Sequence, residues 1–304
     1  SLPGSVSSST RMLVTGMSTK STTNIIEFIT IANIASSKDF GDLTVARRRT
    51  QSLSNSTRAV HVAGSGTSPT PYHNTIDYNT IAATGNSLDF GDTDAATLSH
   101  GGSVASSTRG VYSVGYEAPA YSNVIEFITI ASTGNGQNFG DLSAAKGYHF
   151  RGSICDTTRG LFAGNAVPYE NLIEYVTISA LGNSIDFGDI SFGKSGYSYG
   201  LSSTTRGIIA GGLRVSAPDT DSYKEVGFVT ISSTGNTSDF GDLNYDKYEG
   251  GAGTSATRGV VMAGYGPNYT QLIEFCTMAT TGNFLEFGDL TNLNGVGKYS
   301  ASSK

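Results

Sequence analysis

Carboxylates are the most regularly placed reactive groups in this 304-residue chain. Of its 25 Asp and Glu, five stand inside apolar runs (Glu27, Asp77, Glu126, Glu174 and Glu274), five directly precede a Phe, and six follow a Phe-Gly pair. Paired carboxylates can act as general acid and base, and six to eight converging oxygens can hold Ca²⁺. One or two carboxylates per turn are too few for a calcium cage, and a residue repeated in every unit does not mark one catalytic centre. We therefore read these acids, with the arginines of recurring Thr-Arg pairs, as architectural, each sandwiched charge needing a partner. Gly227 replaces the acid of the apolar run once, which is expected to leave Arg206 with a different neighbour. His61, His73, His100 and His149 lack metal-ligand spacing, and neither Cys155 nor Cys276 has a second Cys or a His at ligand distance. No nucleophile elbow, phosphate-binding loop or dinucleotide fingerprint is present. No catalytic residue, metal or cofactor is assigned.

The 19 Lys and Arg leave a formal net charge of −6, and the longest basic run is Arg47-Arg48-Arg49. This balance lacks the electrostatic footprint of a nucleic-acid partner. No run of about 18 apolar residues exists, so membrane insertion by a helix is not expected.

The positions of these residues repeat. Phe-Gly-Asp begins at Phe40, Phe90, Phe139, Phe187, Phe240 and Phe287, at intervals of 47 to 53 residues, and a Thr-Arg pair precedes each, with the arginines at 11, 58, 109, 159, 206 and 258. A fixed period in this range signals a repeat architecture. Each unit holds four short segments rich in β-branched and aromatic residues, separated by Gly and Asn turns such as Thr84-Gly85-Asn86, which predicts four strands. The third segment is apolar on both parities, as at Ile25, Ile26 and Phe28, and so fits a strand covered on both faces. Six such sheets bury their faces by stacking around an axis. The expectation is an all-β, six-bladed β-propeller of four antiparallel strands per blade, one domain over residues 1–304. Ring closure is assigned to the C-terminal segment near 292–304, the longer of two terminal stretches that resemble the strand before Thr-Arg.

In an antiparallel four-strand blade, the first-to-second and third-to-fourth turns share one face, and the remaining connections share the other. The first face carries uniform Ser/Thr-rich turns. The second carries connections that differ in length and chemistry, and these hold Tyr72, His73, Tyr116, Tyr121, Tyr169, Arg214, Asp219, Asp221, Tyr265 and Tyr269. Tyrosine offers a rigid amphipathic surface at low entropic cost, as in antibody loops, and can stack on sugar rings or protein patches. Loops on a rigid scaffold are where binding usually resides. These ten residues form the candidate ligand-binding face.

The unit resembles the kelch motif. Its second strand ends in Gly, doubled at Gly211-Gly212, its third carries an aromatic, and Phe40 with Leu43 or Phe240 with Leu243 stands where kelch units place Trp. The combination of Thr-Arg-Gly, Ile-Glu-Tyr/Phe-x-Thr-Ile, Thr-Gly-Asn and Asp-Phe-Gly-Asp-Leu also resembles repeats of virion and tail-fibre-associated proteins of tailed phages. That resemblance implies a kelch-like, non-enzymatic module located on a virion, with a host cell-surface glycan or protein and other virion proteins as partners. A decoration or assembly module contacting another capsid or tail protein is one alternative. A glycosidase-type propeller is another, and it would need two carboxylates about 5 to 9.5 Å apart. Asp94, Asp246 and Glu249 are the non-repeat acids in the fourth-to-first connections.

Overall fold

The computed structural model describes residues 4–15, 22–30, 38–67, 71–97, 101–117, 119–146, 152–166, 169–193, 196–216, 219–248, 250–262, 264–266, 270 and 272–289. They form a ring of six blades, each a meander of four antiparallel strands. Blade one comprises Gly4–Ser7, Arg11–Thr15, Thr23–Thr30 and Lys38–Arg47; blade two Gln51–Ser54, Arg58–Ser65, Tyr72–Thr80 and Leu88–Thr97. Blade three comprises Ser103–Ala105, Arg109–Ser113, Ala120–Thr129 and Gln137–Lys146; blade four Ile154–Cys155, Arg159–Ala166, Tyr169–Thr177 and Ile185–Asp189. Blade five comprises Tyr199–Ser202, Arg206–Ser216, Asp219–Thr230 and Ser238–Asp242; blade six Gly251–Thr254, Arg258–Met262, Leu272–Thr277 and Leu285–Asp289. From blade one to blade six, the first strands of successive blades lie side by side.

The first-strand place in blade one belongs to Gly4–Ser7, which pairs with the second strand from Gly4↔Thr15 to Ser7↔Met12. Ser8 then accepts the Arg11 N–H, the same tight turn that Ser106 makes before Arg109 and Ser203 before Arg206. The N-terminal segment thus fills the position that the repeat pattern had assigned to 292–304, a segment outside the described residues.

The repeated motifs hold blades to one another. In all six blades the pairing of third and fourth strands shifts register beside the repeated acid, or beside Gly227 in its place in blade five, so that the Phe of Phe-Gly-Asp is the extra residue of a bulge. In the first five blades that Phe is buried, and in every blade it meets the third-strand aromatic edge to face, as Phe28 meets Phe40 at 5.8 Å. The Thr-Arg guanidinium caps the same aromatic at 4.3 to 4.9 Å in every blade, within cation–π range. It then donates to a main-chain carbonyl of the next blade: Arg58 to Ile130, Arg109 to Ile178, Arg159 to Ile231 and Arg206 to Met278. Arg206 therefore keeps the neighbours of its equivalents. The absent acid at Gly227 changes a different contact, because the Phe192 ring stands where a Cβ would be.

The next blade returns the contact through its Gly-Asn turn. Gly85 N–H donates to Phe40 O at 2.7 Å, Ser87 N–H donates to Asp42 O at 2.7 Å, and Asn86 Oδ1 accepts the Asp42 N–H at 3.1 Å. The same three bonds recur at each following interface through blade six. Apolar clusters fill the space between blades, such as Phe139, Leu142, Cys155, Phe162 and Val176 between three and four.

Candidate binding face

The face opposite the uniform turns is built on strands that bend outward. In blade two the second strand shifts register between Val62 and Gly64, with Ala63 and Gly64 both at positive φ, and pairing resumes at Gly64↔His73 and runs to Ser65↔Tyr72. Blades four and five bend in the same place, around Gly164 and Gly211, and extend to Ala166↔Tyr169 and Ser216↔Asp219. The Gly-rich ends of the second strands are thus bulges that carry each hairpin above the core. Lack of a Cβ at Gly64 also lets the preceding blade connection approach, since that atom would lie 2.8 Å from Arg48 O. Arg48↔Ser65, Gly196↔Leu213 and Tyr248↔Tyr265 bridge the chain at these approaches.

The bends bring several of the expected residues together. Tyr72 of blade two lies 6.2 Å from Tyr116 of blade three, which packs edge to face on Tyr121 at 5.4 Å. Tyr116-Glu117 pairs with Ala120-Tyr121 and, through Glu117↔Thr97, joins blades two and three into one sheet. Tyr265 packs on Tyr248 at 5.5 Å, and Tyr248 lies 6.0 Å from Tyr197. Arg214 caps the Tyr223 ring at 5.9 Å and stands opposite exposed Asp221 in the hairpin. Tyr169 and Asp219 each close a hairpin at its tip, and Tyr269 lies outside the described residues. His73 is half-buried, and burial, reinforced by the Arg47 charge, lowers its pKa below the ordinary histidine value. Each described tyrosine of the set is half-buried, so part of its surface rigidifies the loops and part faces solvent.

Buried ion pairs between blades support this face. Arg47 meets Asp77 at 2.9 Å with both side chains wholly excluded from solvent. Lys146 meets Glu174 at 2.5 Å and Glu170, next to Tyr169, at 3.1 Å, and Lys247 meets Glu274. Sequence reasoning missed these bases, as it missed Tyr197 and Tyr248, although a signal existed. Arg47, Lys146 and Lys247 each fall seven residues after the Phe of Phe-Gly-Asp, and each pairs with the third-strand acid of the following blade. Blade two has Thr97 at that count. In blade three Glu126 accepts instead the hydroxyl of Tyr112 from its own blade, at 2.7 Å. Burial raises the Glu126 pKa, with the Asp94 and Glu117 charges adding to it against the Tyr112 and Asp94 hydrogen bonds.

One couple has the spacing of a nucleophile and its base. Ser52 Oγ lies 3.0 Å from His61 Nδ1. Burial, followed by the Arg47 charge, lowers the His61 pKa to about 3, so the imidazole is neutral at physiological pH and a poor proton acceptor. Asp94 sits on the outer strand of blade two and Asp246 between blades five and six, while Glu249 lies outside the described residues. Among the described residues no group of three His, Cys, Asp or Glu converges as metal ligands would, and no helix is long and apolar enough to cross a membrane. Cys155 and Cys276 are buried free thiols.

No protein-family model matches this chain, and no curated protein matches it in sequence. Among solved structures, that of YjhT superposes with a TM-score of 0.72 at 7% identity, over 90% of this chain and 93% of that one. The likeness is one of fold.

Proposed function

We propose that this propeller is a non-enzymatic adhesion module of a phage particle, and that its tyrosine-bearing face binds a host-surface glycan or protein. The observation that carries the reading is the Tyr72, Tyr116 and Tyr121 group, assembled from hairpins of two neighbouring blades. The half-exposed rings can stack on the apolar faces of sugars, and Arg214 with Asp221 supplies charged hydrogen-bonding groups. The resemblance of the units to kelch-like repeats of tailed-phage virion proteins supports a place on the particle.

A second reading, packing on another virion protein, is favoured by exposed apolar side chains on the rim. Leu88, Ile185 and Leu285 are 59%, 57% and 59% exposed, each two residues before the Phe of Phe-Gly-Asp in alternate blades. Binding of the purified chain to a glycan array and to bacterial cells separates the two. Adhesion predicts retention that Tyr72→Ala and Tyr116→Ala abolish while circular dichroism is unchanged. Retention unaffected by either change, or release of reducing sugar from a polysaccharide, overturns it. A lack of binding to glycans and cells, together with a tight complex with a virion protein that Leu88→Asp weakens, establishes the packing role.

A further inference from the structure

The first strand and its approach differ in composition around the ring. Six residues before the Thr-Arg arginine stands Ser in blades one to four (Ser5, Ser52, Ser103 and Ser153), but Gly200 in blade five and Ala252 in blade six. On the side of the uniform turns, away from the tyrosines, the first four blades line an open cavity of about 200 Å³. Its polar wall includes Ser7, Ser52, Ser54 and Ser103, and its apolar wall includes Leu53 and Val104. No charged side chain lines it.

Two of the wall hydroxyls donate within the protein. Ser54 Oγ donates to Ser7 O at 3.0 Å, and Ser103 Oγ donates to Ser52 O at 2.9 Å, so the protons are committed and the lone pairs are left over. Ser7 is 97% buried, and its hydroxyl has no hydrogen-bond partner among the described residues. A buried hydroxyl left so is costly, and a ligand that bonds to it is favoured by that cost. A hydroxyl-bearing surface, free of charge and backed by small apolar groups, matches a molecule carrying several hydroxyls on a compact carbon frame. It offers no positive charge to hold an anion. At about 30 Å³ per water the space holds roughly seven waters, the scale of a small polyol.

We propose that this axial cavity is a binding site for a small, uncharged polyhydroxy compound, independent of the tyrosine face. Saturation-transfer NMR with glycerol and myo-inositol as probes, and with phosphate and ammonium as controls, tests it on the full chain. The expected result is transfer to one or both polyols, weakened about fivefold in affinity by Ser7→Ala, the loss of about one hydrogen bond, and removed by Ser56→Trp. Ser56 is an exposed turn residue at the cavity wall, so the indole would fill the opening without disturbing the core. The Ser7 change should leave thermal stability unchanged or raised, because it deletes a hydroxyl that bonds to nothing among the described residues. Tyr116→Ala should leave polyol binding intact, which keeps this site distinct from the adhesion reading. Transfer to neither polyol, preferential binding of phosphate or ammonium, or polyol transfer that survives Ser56→Trp overturns the assignment.

Discussion

Lys146, at the end of blade three, holds its ammonium 2.5 Å from the Glu174 carboxylate of blade four, with each side chain 2% exposed. Glu174 also accepts the Ser143 N–H and the Ser184 hydroxyl, so one buried carboxylate ties two blades together. Burial alone would raise its pKa, but the Lys146 hydrogen bond and charge, with the Ser143 bond, outweigh it and hold the carboxyl below the ordinary range. Removing one partner of such a pair strands the other charge, at a cost of about 3–5 kcal/mol. Glu174→Gln and Lys146→Met should each lower urea-denaturation stability by that order at pH 7. The double variant Glu174→Leu with Lys146→Met should lose less than either. Because the folded pKa is depressed, this contribution is present above an unfolded value of about 4.3 and is lost as pH falls through the folded one. Wild type and Glu174→Gln should therefore converge in acid.

Glu126 occupies the equivalent strand position with the opposite sign. Its pKa is raised, chiefly by burial, so the folded protein holds the proton more tightly than the unfolded chain. Stability from this group is complete below about pH 4.3 and declines as pH rises toward the folded value. Glu126→Gln, which keeps the shape of the neutral acid, should gain on wild type as pH is raised from 4 to 8. Thr97→Lys, which restores the base seven residues after Phe90, should lower the Glu126 pKa when followed by carboxyl ¹³C NMR. A Glu126→Gln protein that loses stability with rising pH as Glu174→Gln does would refute the distinction.

The ring and its strand order were legible because Phe-Gly-Asp, Thr-Arg and the Gly-Asn turns answer to contacts that every interface repeats. Phe40 is a bulge residue and Arg58 a cap in each copy of the unit, so their types are fixed in sequence. The ion pairs were not legible, because Arg47 and Asp77 lie 30 residues apart in different repeats and Thr97 breaks the series. Grouping of the candidate tyrosines also depended on register between blades: Tyr116 meets Tyr72 only because Glu117 pairs with Thr97 of the neighbouring blade. Tyr197 and Tyr248 stand in fourth-to-first connections of unequal length, where no motif fixes their place.

Two glycines at one interface test the blade-to-blade bond. Gly140, in the third Phe-Gly-Asp, has φ +153°, and an added Cβ would lie 2.3 Å from Gly182 O. Gly182 itself has φ +152°, but its Cβ would meet open space. Gly182→Ala carries backbone strain alone, on the order of 1–3 kcal/mol. Gly140→Ala adds a clash with main chain that can be relieved only by separating blades three and four. The expected order of melting temperatures is wild type, Gly182→Ala, then Gly140→Ala well below both, and equal losses at the two positions would count against the interface account.

Arg109 tests the cap that every blade shares. Its guanidinium lies 4.5 Å from the Phe127 ring centre and donates at 3.0 Å to Ile178 O of the next blade. A half-buried cation–π contact and one charge-assisted hydrogen bond together predict a loss of about 2–3 kcal/mol for Arg109→Ala. Lys keeps the charge but lacks the planar fork that stacks and donates at once, so Arg109→Lys should recover less than half of that loss. Arg206 is the sharper comparison, since its blade lacks the third-strand acid. It stacks on Phe228 and donates to Met278 O as Arg159 does to its own partners, so Arg206→Ala and Arg159→Ala should cost the same within about 0.5 kcal/mol. A markedly smaller loss at Arg206 would mean that the acids, and not the aromatic caps, hold these arginines in place.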